Sequence, residues 1–132
     1  MTDLELIEQA KAALRHSYSP YSHFSVGAAL LTADGKIFTG CNVENAAFGP
    51  SICAERTAFC KAVSEGERHF CVIAIVGGKE GIISDFCPPC GVCRQVMSEF
   101  CKGDFRIILT DGSKIKTWTL DQLLPERFGL TE

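Results

Sequence analysis

The 132-residue chain has no long hydrophobic run. Its longest apolar stretch, residues 70–76, has the length of a strand, whereas a membrane-spanning helix needs about 20 apolar residues. The N-terminal segment has acidic residues near its start and no basic region followed by an apolar run, so it does not resemble a secretory signal. Lipidation motifs are missing as well. These absences predict a cytoplasmic protein that has no membrane partner.

The sequence also lacks an excess of basic charge. It has 13 Lys and Arg residues against 16 Asp and Glu residues, which gives a net charge of -3 at pH 7. Because binding to a nucleic-acid polymer depends on basic residues that face phosphates, we expect no such partner. We find no repeat, low-complexity segment or linker, and the length is typical of one domain. We therefore expect residues 1–132 to form a single domain.

Cysteine, in contrast, is abundant, with eight residues. Cysteines can form a disulfide framework, bind metal, react as thiols or serve as small buried side chains. Cytoplasmic thiols stay reduced, so we do not expect a disulfide framework, although a mature secreted chain without its signal would allow one. Four cysteines are expected to be buried small side chains, and the three histidines to lie in loops or in solvent: Cys41, Cys60, Cys71 and Cys101, and His16, His23 and His69.

Hydrophobic periodicity and turn residues predict four helices and five strands in the order α-β-β-α-β-α-β-β-α. Capping boxes begin the first and last helices, and Leu4, Ile7, Ala10 and Leu14 share one face of the first. A right-handed crossover between the third and fourth strands predicts a three-layer α/β/α fold with a five-stranded mixed sheet. The predicted helices cover 3–16, 53–64, 90–101 and 119–125, and the strands cover 25–33, 36–43, 70–76, 105–110 and 115–118.

Two short segments each place cysteine at the start of a predicted helix. Cys53 begins the segment C-A-E-R, and Cys90 and Cys93 lie in the segment P-C-G-V-C-R-Q. Free backbone N–H groups and the helix dipole at such positions favour the thiolate, which is the form that binds metal. Two residues between Cys90 and Cys93 is ordinary spacing for two zinc ligands. Three thiolates and one open position predict one catalytic zinc ion per chain.

Glu55 lies two residues after the first of these cysteines, where a carboxylate could perform general acid–base catalysis on a water molecule at the metal. C-A-E followed by P-C-x-x-C matches the described signature of zinc-dependent deaminases, in which the glutamate is not a ligand. Three thiolates leave about one net negative charge on a zinc site. Arg56 and Arg94 closely follow ligands and are expected to offset that charge.

Cys87 forms a second C-x-x-C pattern with Cys90, so it is an alternative ligand or a disulfide partner. The two intervening prolines offer no N–H to a thiolate, so we favour the pair of Cys90 and Cys93. Two other classes of protein remain open. A non-catalytic zinc module would need a fourth protein ligand and would not need Glu55, whereas a thiol-redox protein would use the Cys90–Cys93 pair without metal.

Longer segments of the sequence resemble the cytidine deaminases of the small, homotetrameric kind. They are residues 18–30, residues 40–46, the two cysteine segments and residues 126–128, so the resemblance covers nearly the whole chain. It implies a homotetramer that hydrolyses cytidine and deoxycytidine to uridine and deoxyuridine, with release of ammonia. A related deaminase with another small substrate, such as blasticidin, is the alternative. Residues 42–46 and the loop at Phe24 favour the nucleoside.

The resemblance also implies which residues contact the nucleoside. Asn42 and Glu44 would hold the sugar hydroxyls, Phe24 would pack on the pyrimidine, and the backbone of Ala54 would contact the base. Asn42 and Glu44 alternate with a valine, so both side chains can leave the same face at the end of a strand.

By the same resemblance, Glu55 would deprotonate the attacking water, protonate ring atom N3 and later carry a proton to the departing ammonia. Phe128 would close the pocket of a neighbouring subunit. Phe48 stands where the family often has tyrosine, so we expect one hydroxyl hydrogen bond fewer, between subunits.

Overall fold

The computed structural model describes residues 1–130, and it contains the predicted elements in the predicted order. Most boundaries lie within one or two residues of those expected from the sequence. The helices are α1 (Asp3–Leu14), α2 (Ala54–Ser64), α3 (Gly91–Phe100) and α4 (Leu120–Leu123); the strands are β1 (Phe24–Thr32), β2 (Ile37–Cys41), β3 (Phe70–Lys79), β4 (Arg106–Thr110) and β5 (Ile115–Thr119).

The five strands form one sheet in the order β2-β1-β3-β4-β5. Among neighbouring strands of this sheet, β3 and β4 are the parallel pair, and α3 lies in the connection between them, as the crossover predicted. Helix α1 covers one face of the sheet, and helices α2, α3 and α4 pack on the other. The expected three-layer α/β/α architecture is confirmed. Among the described residues, no helix is long and apolar enough to cross a membrane.

Each face of the sheet has its own hydrophobic core. Under α1 the core includes Leu6, Ile7 and Ala10, and across the sheet Phe59 of α2 packs with Met97 of α3. Leu4 is exposed, contrary to the prediction that it shares the buried face, because the buried stripe of α1 also includes Leu6. At about 100° per residue that stripe is centred well away from position 4.

Two of the four cysteines expected to be buried are exposed, namely Cys60 and Cys71. The pairing of β1 with β3 joins Leu31 to Val72 and Thr32 to Phe70, so Cys71 is the extra residue of a β-bulge. The bulge turns Phe70 towards the ring of Phe59 and leaves Cys71 facing outwards. Cys60 lies on the outer side of α2. Cys101 is buried as expected, Cys41 is half-buried, and His16, His23 and His69 are exposed as expected.

The topology brings the starts of α2 and α3 to the same edge of the sheet. Strand β1 is antiparallel to both β2 and β3, so β2 and β3 run in the same direction and end at the same edge. Helix α2 follows the loop after β2, and α3 follows the loop after β3. Cys53 is the N-cap residue of α2 and Cys90 that of α3, so the two predicted metal-ligand segments meet there.

Gly40 of β2 lets α2 pack closely against the sheet. A Cβ atom at Gly40 would lie 2.6 Å from the backbone nitrogen of Ala58 and would overlap the carbonyl oxygen of Ala54. We expect Gly40→Ala to lower the free energy of unfolding by about 1–3 kcal/mol, because rigid backbone must move. Since α2 carries Cys53, zinc affinity should fall as well. Urea unfolding and zinc titration measure both effects.

Gly49→Ala is the matched control for this substitution, because its nearest neighbouring atom would lie at 3.5 Å. It should leave stability and zinc affinity close to those of the unaltered protein. A Gly40→Ala variant as stable as the control would show that α2 is not packed as tightly as described.

Candidate metal centre and active site

The sulfur atoms of Cys53, Cys90 and Cys93 all lie within 4.8 Å of one another. The Sγ atoms of Cys53 and Cys90 are 3.8 Å apart, and those of Cys90 and Cys93 are 3.5 Å apart. A tetrahedral zinc ion with Zn–S bonds of about 2.3 Å would separate its sulfur ligands by about 3.8 Å. The cluster therefore fits one zinc ion. Among the residues that the structure describes it consists of three side chains, so a fourth coordination position is open.

The electrostatics of the cluster favour a thiolate at Cys53. Hydrogen bonding from the Cys93 thiol, followed by contact with Arg56, lowers the pKa of Cys53 to about 5 against the opposing effect of burial. The same interaction with Cys53 raises the pKa of Cys93. Arg56 Nη2 donates to the Cys53 sulfur at 3.5 Å. A cation beside the cluster thus favours the deprotonated form that binds metal.

The two arginines near the cluster differ in what they contact. Arg56 borders the cluster, and its buried Nε has no hydrogen-bond partner among residues 1–130. Arg94 instead donates to two backbone carbonyl groups, those of Pro89 at 2.8 Å and Leu123 at 2.7 Å. It ties the start of α3 to the end of α4, and the expected contact with the thiolates is absent among the described residues.

Glu55 is buried in the first turn of α2, with 4% of its surface exposed. Burial raises the pKa of its carboxyl to about 7, and the nearby Cys53 thiolate adds to the shift. Such a carboxyl can both accept and release a proton near neutral pH, which is what acid–base catalysis requires.

A cavity of about 290 Å³ joins the metal cluster to the predicted sugar-binding side chains. Most of the residues that line this cavity are polar or carry sulfur. The apolar part of its wall is formed by Val26, Ile52 and Pro88. The remaining lining residues are Asn42, Glu44, Ser51, Cys53, Glu55, Arg56, Cys87 and Cys90. The structure therefore brings two of the three predicted ligands, Cys53 and Cys90, to a single cavity with the predicted acid–base residue and the predicted sugar pair.

Asn42 is held by the backbone at the beginning of β1. Its Nδ2 donates to the carbonyl oxygen of Phe24 at 2.8 Å, and its Oδ1 accepts from the N–H of Val26 at 2.9 Å and from the hydroxyl of Ser17. Glu44 is held by the preceding loop. Its Oε1 accepts from the backbone N–H groups of Tyr21 and Ser22, and its Oε2 accepts from the Ser22 hydroxyl.

The contacts of Ser17 and Ser22 were not anticipated by the sequence analysis, which treated residues 17–22 only as a serine-rich loop. The available signal was the abundance of hydroxyl groups immediately before the Phe24 segment. Which acceptor each hydroxyl reaches depends on the folded path of the loop, so sequence spacing could not reveal it.

The other residues predicted to contact the substrate do not line this cavity. Ala54 is fully buried at the start of α2, while Phe24 is 40% exposed at the start of β1. Phe128 is 68% exposed and lines a different cavity, beside Arg127. Phe48 is exposed, with its ring centre 6.3 Å from that of Tyr21.

Cys87 lies outside the three-sulfur cluster but in the wall of the same cavity. Burial raises the pKa of its thiol to about 12, so it is a neutral side chain at physiological pH. The preference for Cys90 and Cys93 over Cys87 agrees with this geometry.

An open three-cysteine site beside a buried carboxyl is the arrangement of a zinc-dependent hydrolytic enzyme, and comparisons with known proteins narrow the class. The family model described as "Cytidine and deoxycytidylate deaminase zinc-binding region" matches residues 1–109. A cytidine deaminase of Sporosarcina psychrophila is 50% identical over 126 residues, covering 95% of this chain and 90% of the relative. One of Halalkalibacterium halodurans is 46% identical over 124 residues, covering 93% and 91%.

Solved structures agree with the sequence comparisons. The crystal structure of a cytidine deaminase from Burkholderia pseudomallei superposes with a TM-score of 0.89 at 47% identity, covering 97% of this chain and all of that one. The chain belongs to the cytidine and deoxycytidylate deaminase family.

The burial of Glu55 predicts a pH-dependent gain in stability for Glu55→Gln in the metal-free protein. The pKa of this carboxyl is about 7 in the folded protein, above the ordinary 4.5. Its contribution to the free energy of unfolding is therefore fully present below about pH 4.5 and is lost as pH rises through 7. Because the Gln side chain does not ionise, we expect the free energy of unfolding of the variant to exceed that of the unaltered protein by roughly 3 kcal/mol at pH 8, and by much less at pH 5.

Urea unfolding with a chelator present, at both pH values, measures this difference. Glu99→Gln, at an exposed position, controls for the loss of a carboxylate. Equal gains for Glu55→Gln at pH 5 and pH 8 would contradict the shifted pKa.

Proposed function

We propose that the chain catalyses the hydrolytic deamination of cytidine and deoxycytidine to uridine and deoxyuridine, with release of ammonia. The observation that carries the proposal is the shared cavity, in which the three-sulfur cluster, the buried Glu55 carboxyl and the Asn42–Glu44 pair all take part. Cys53, Cys90 and Cys93 would hold one zinc ion per chain. We also propose that residues 1–132 act as one deaminase domain.

Glu55 performs the proton transfers in this mechanism. A zinc ion held by the three thiolates supplies Lewis acidity that makes water a nucleophile near neutral pH. Glu55 accepts the proton that water loses as its oxygen bonds to C4, and it passes this proton to ring atom N3. It then moves the remaining hydroxyl proton to the amino group, which leaves as ammonia. Burial of Glu55 keeps bulk water from competing for these protons.

Hydrogen-bond capacity explains why both nucleosides are substrates. A carboxylate offers about four acceptor positions, and Glu44 uses three within the described residues; an amide offers two N–H donors, and Asn42 uses one. Both acceptor positions of the Asn42 carbonyl oxygen are filled. The pair therefore retains about one donor and one acceptor, which is the need of a single hydroxyl. Ribose and deoxyribose share such a hydroxyl, so the pair does not require the one that deoxyribose lacks.

Three further contacts complete the proposed binding site. The Phe24 ring packs on the pyrimidine, and the backbone of Ala54 contacts the base at the start of α2. Phe128 closes the pocket of a neighbouring subunit, which its exposure supports because it lines no part of the cavity beside Cys53 and Cys90 in its own chain.

We propose a homotetramer as the working form. Phe48 and Phe128 are exposed aromatic residues, and an apolar groove between α2 and α3 is lined by Phe59, Val63, Val96 and Phe100. Burial of these surfaces between copies would stabilise an oligomer.

The proposed substrate is a neutral nucleoside and not a nucleic-acid polymer or a membrane lipid. The net charge of -3 supports this, and so does the carboxylate of Glu44 in the cavity. We propose a cytoplasmic location, because an oxidised Cys53–Cys90 pair could not bind zinc.

Glu55→Gln is the decisive variant for this function. It should bind one zinc per chain but lose more than about 100-fold in kcat on cytidine, because the amide cannot carry protons. Ultraviolet absorbance of cytidine and deoxycytidine follows turnover, and metal analysis follows zinc. Turnover that survives in Glu55→Gln would contradict the mechanism.

The unaltered protein distinguishes the two other classes of protein. Bound metal without turnover would favour a structural zinc module, and an easily reduced Cys90–Cys93 disulfide without metal would favour a redox protein.

We propose that Arg56 offsets the negative charge of the thiolates, since it donates to the Cys53 sulfur. Arg56→Gln should weaken zinc binding by about 10-fold and lower kcat, as loss of a partner of a metal ligand does. Arg56→Lys keeps the charge and should retain most of the affinity. Competition with a chromogenic chelator measures it. Equal losses in Gln and Lys variants would assign the effect to hydrogen-bond geometry and would overturn the role of charge.

A further inference from the structure

The loop before β1 holds the carboxylate of Glu44 at three points. The backbone N–H groups of Tyr21 and Ser22 donate to Oε1 at 3.0 and 3.1 Å, and the Ser22 hydroxyl donates to Oε2 at 2.5 Å. An ionised carboxylate can only accept, so Ser22 is the donor in this last bond. The N–H of Phe24 in turn donates to Ser22 Oγ at 3.0 Å, which holds the hydroxyl in place.

An unusual backbone conformation shapes this arrangement. His23, between Ser22 and Phe24, has a φ of 59°, which is uncommon for a residue other than glycine. Its N–H donates to the carbonyl oxygen of Ser19 at 3.0 Å, and its own carbonyl oxygen accepts from Glu80 at 2.7 Å. Strained backbone held in place from both sides is characteristic of sites where geometry serves function.

The backbone of Phe24 connects both members of the sugar pair. Its N–H contacts Ser22, which contacts Glu44, while its carbonyl oxygen accepts from Asn42 Nδ2. The position of Glu44 relative to Asn42 is therefore set through the backbone of a single residue. A half-buried glutamate without these contacts would sample several rotamers, and ordering it on substrate binding would cost affinity.

We propose that Ser22 is a positioning residue that orients the Glu44 carboxylate towards one sugar hydroxyl of the nucleoside. This inference rests on the proposed function. Ser22 does not touch the reacting atoms; it fixes which oxygen of Glu44 remains free to accept the hydroxyl proton. Three of about four acceptor positions on Glu44 are filled within residues 1–130, and removing the Ser22 hydroxyl would leave the carboxylate held through Oε1 alone.

Three variants test the proposal in the zinc-loaded protein. We expect Ser22→Ala to lower kcat/KM on cytidine about tenfold, the loss typical of one hydrogen bond to a charged group, with most of the change in KM. Ser22→Thr keeps the hydroxyl and should restore most of the efficiency. Ser25→Ala is the matched control, because its hydroxyl is within reach of that of Ser19 and not of Glu44.

Substrates that lack one hydroxyl distinguish positioning from a general effect on the loop. Cytidine is compared with 2′-deoxycytidine and 3′-deoxycytidine. 3′-Deoxycytidine lacks a hydroxyl that ribose and deoxyribose share, so with it Ser22→Ala should lower kcat/KM less than about twofold, whereas with 2′-deoxycytidine the loss should stay near tenfold. In a Glu44→Gln background the effect of Ser22→Ala should likewise disappear.

A loss of equal size on all three substrates, or one that persists in the Glu44→Gln background, would overturn the proposal and assign Ser22 a merely structural role. Efficiency unchanged in Ser22→Ala would overturn it too. Failure of the proposed function looks different, because the unaltered zinc-loaded protein would then not deaminate cytidine at all.

Discussion

Three ionisable sulfur atoms within 4.8 Å of one another are the constraint on which the site depends. Three thiolates so close together repel one another strongly, and the repulsion must be balanced by positive charge. The chain provides this balance in two ways. The N-termini of α2 and α3 point at the cluster from two helices, and Arg56 contributes a full charge at the Cys53 sulfur. The metal supplies what remains. The parallel course of β2 and β3 is what allows two helix termini to converge there, so the sheet topology is part of the metal chemistry.

Two ionisable groups only two residues apart, at the start of helix α2, have pKa values shifted in opposite directions. Cys53 must ionise readily, whereas Glu55 must exchange a proton near neutral pH and not remain fully ionised. The helix dipole favours the charged form of both, by about 0.3–1 kcal/mol. Burial of Glu55 raises its pKa by an amount that corresponds to roughly 3 kcal/mol, so desolvation outweighs the dipole at that position. Burial also acts to raise the pKa of Cys53, but hydrogen bonds from Cys93 and Arg56 outweigh that effect and lower the pKa. Different partners thus give one helix turn a thiolate ligand and a carboxyl group that titrates near neutral pH.

The parts of this fold that sequence could predict are those with a local or periodic cause. Capping boxes at Thr2 and Thr119, the apolar run of β3 and the cysteines at two helix starts all act within a few residues, and all are found as expected. The failures concern partners chosen by tertiary structure. Cys71 is exposed because of a bulge that depends on the register with β1, and nothing in the sequence around it specifies that register. Arg94 reaches the carbonyl of Leu123, almost thirty residues away along the chain.

The same distinction separates the two halves of the site. The metal half consists of side chains on helix termini, which regular secondary structure places and which short motifs therefore reveal. The proposed sugar-binding half is built by a loop, in which Ser22, Glu44 and the backbone N–H of Phe24 come together only after the chain has folded around His23. A helix terminus can hold a metal rigidly, since the first-turn backbone is fixed by hydrogen bonds within the helix. A loop offers no such support, so each polar group in it must be held by another, and Asn42 and Glu44 accordingly spend most of their hydrogen-bonding capacity on the protein. What they have left is about the requirement of one hydroxyl, and rigidity is therefore obtained in this half at the expense of the number of sugar groups it can recognise.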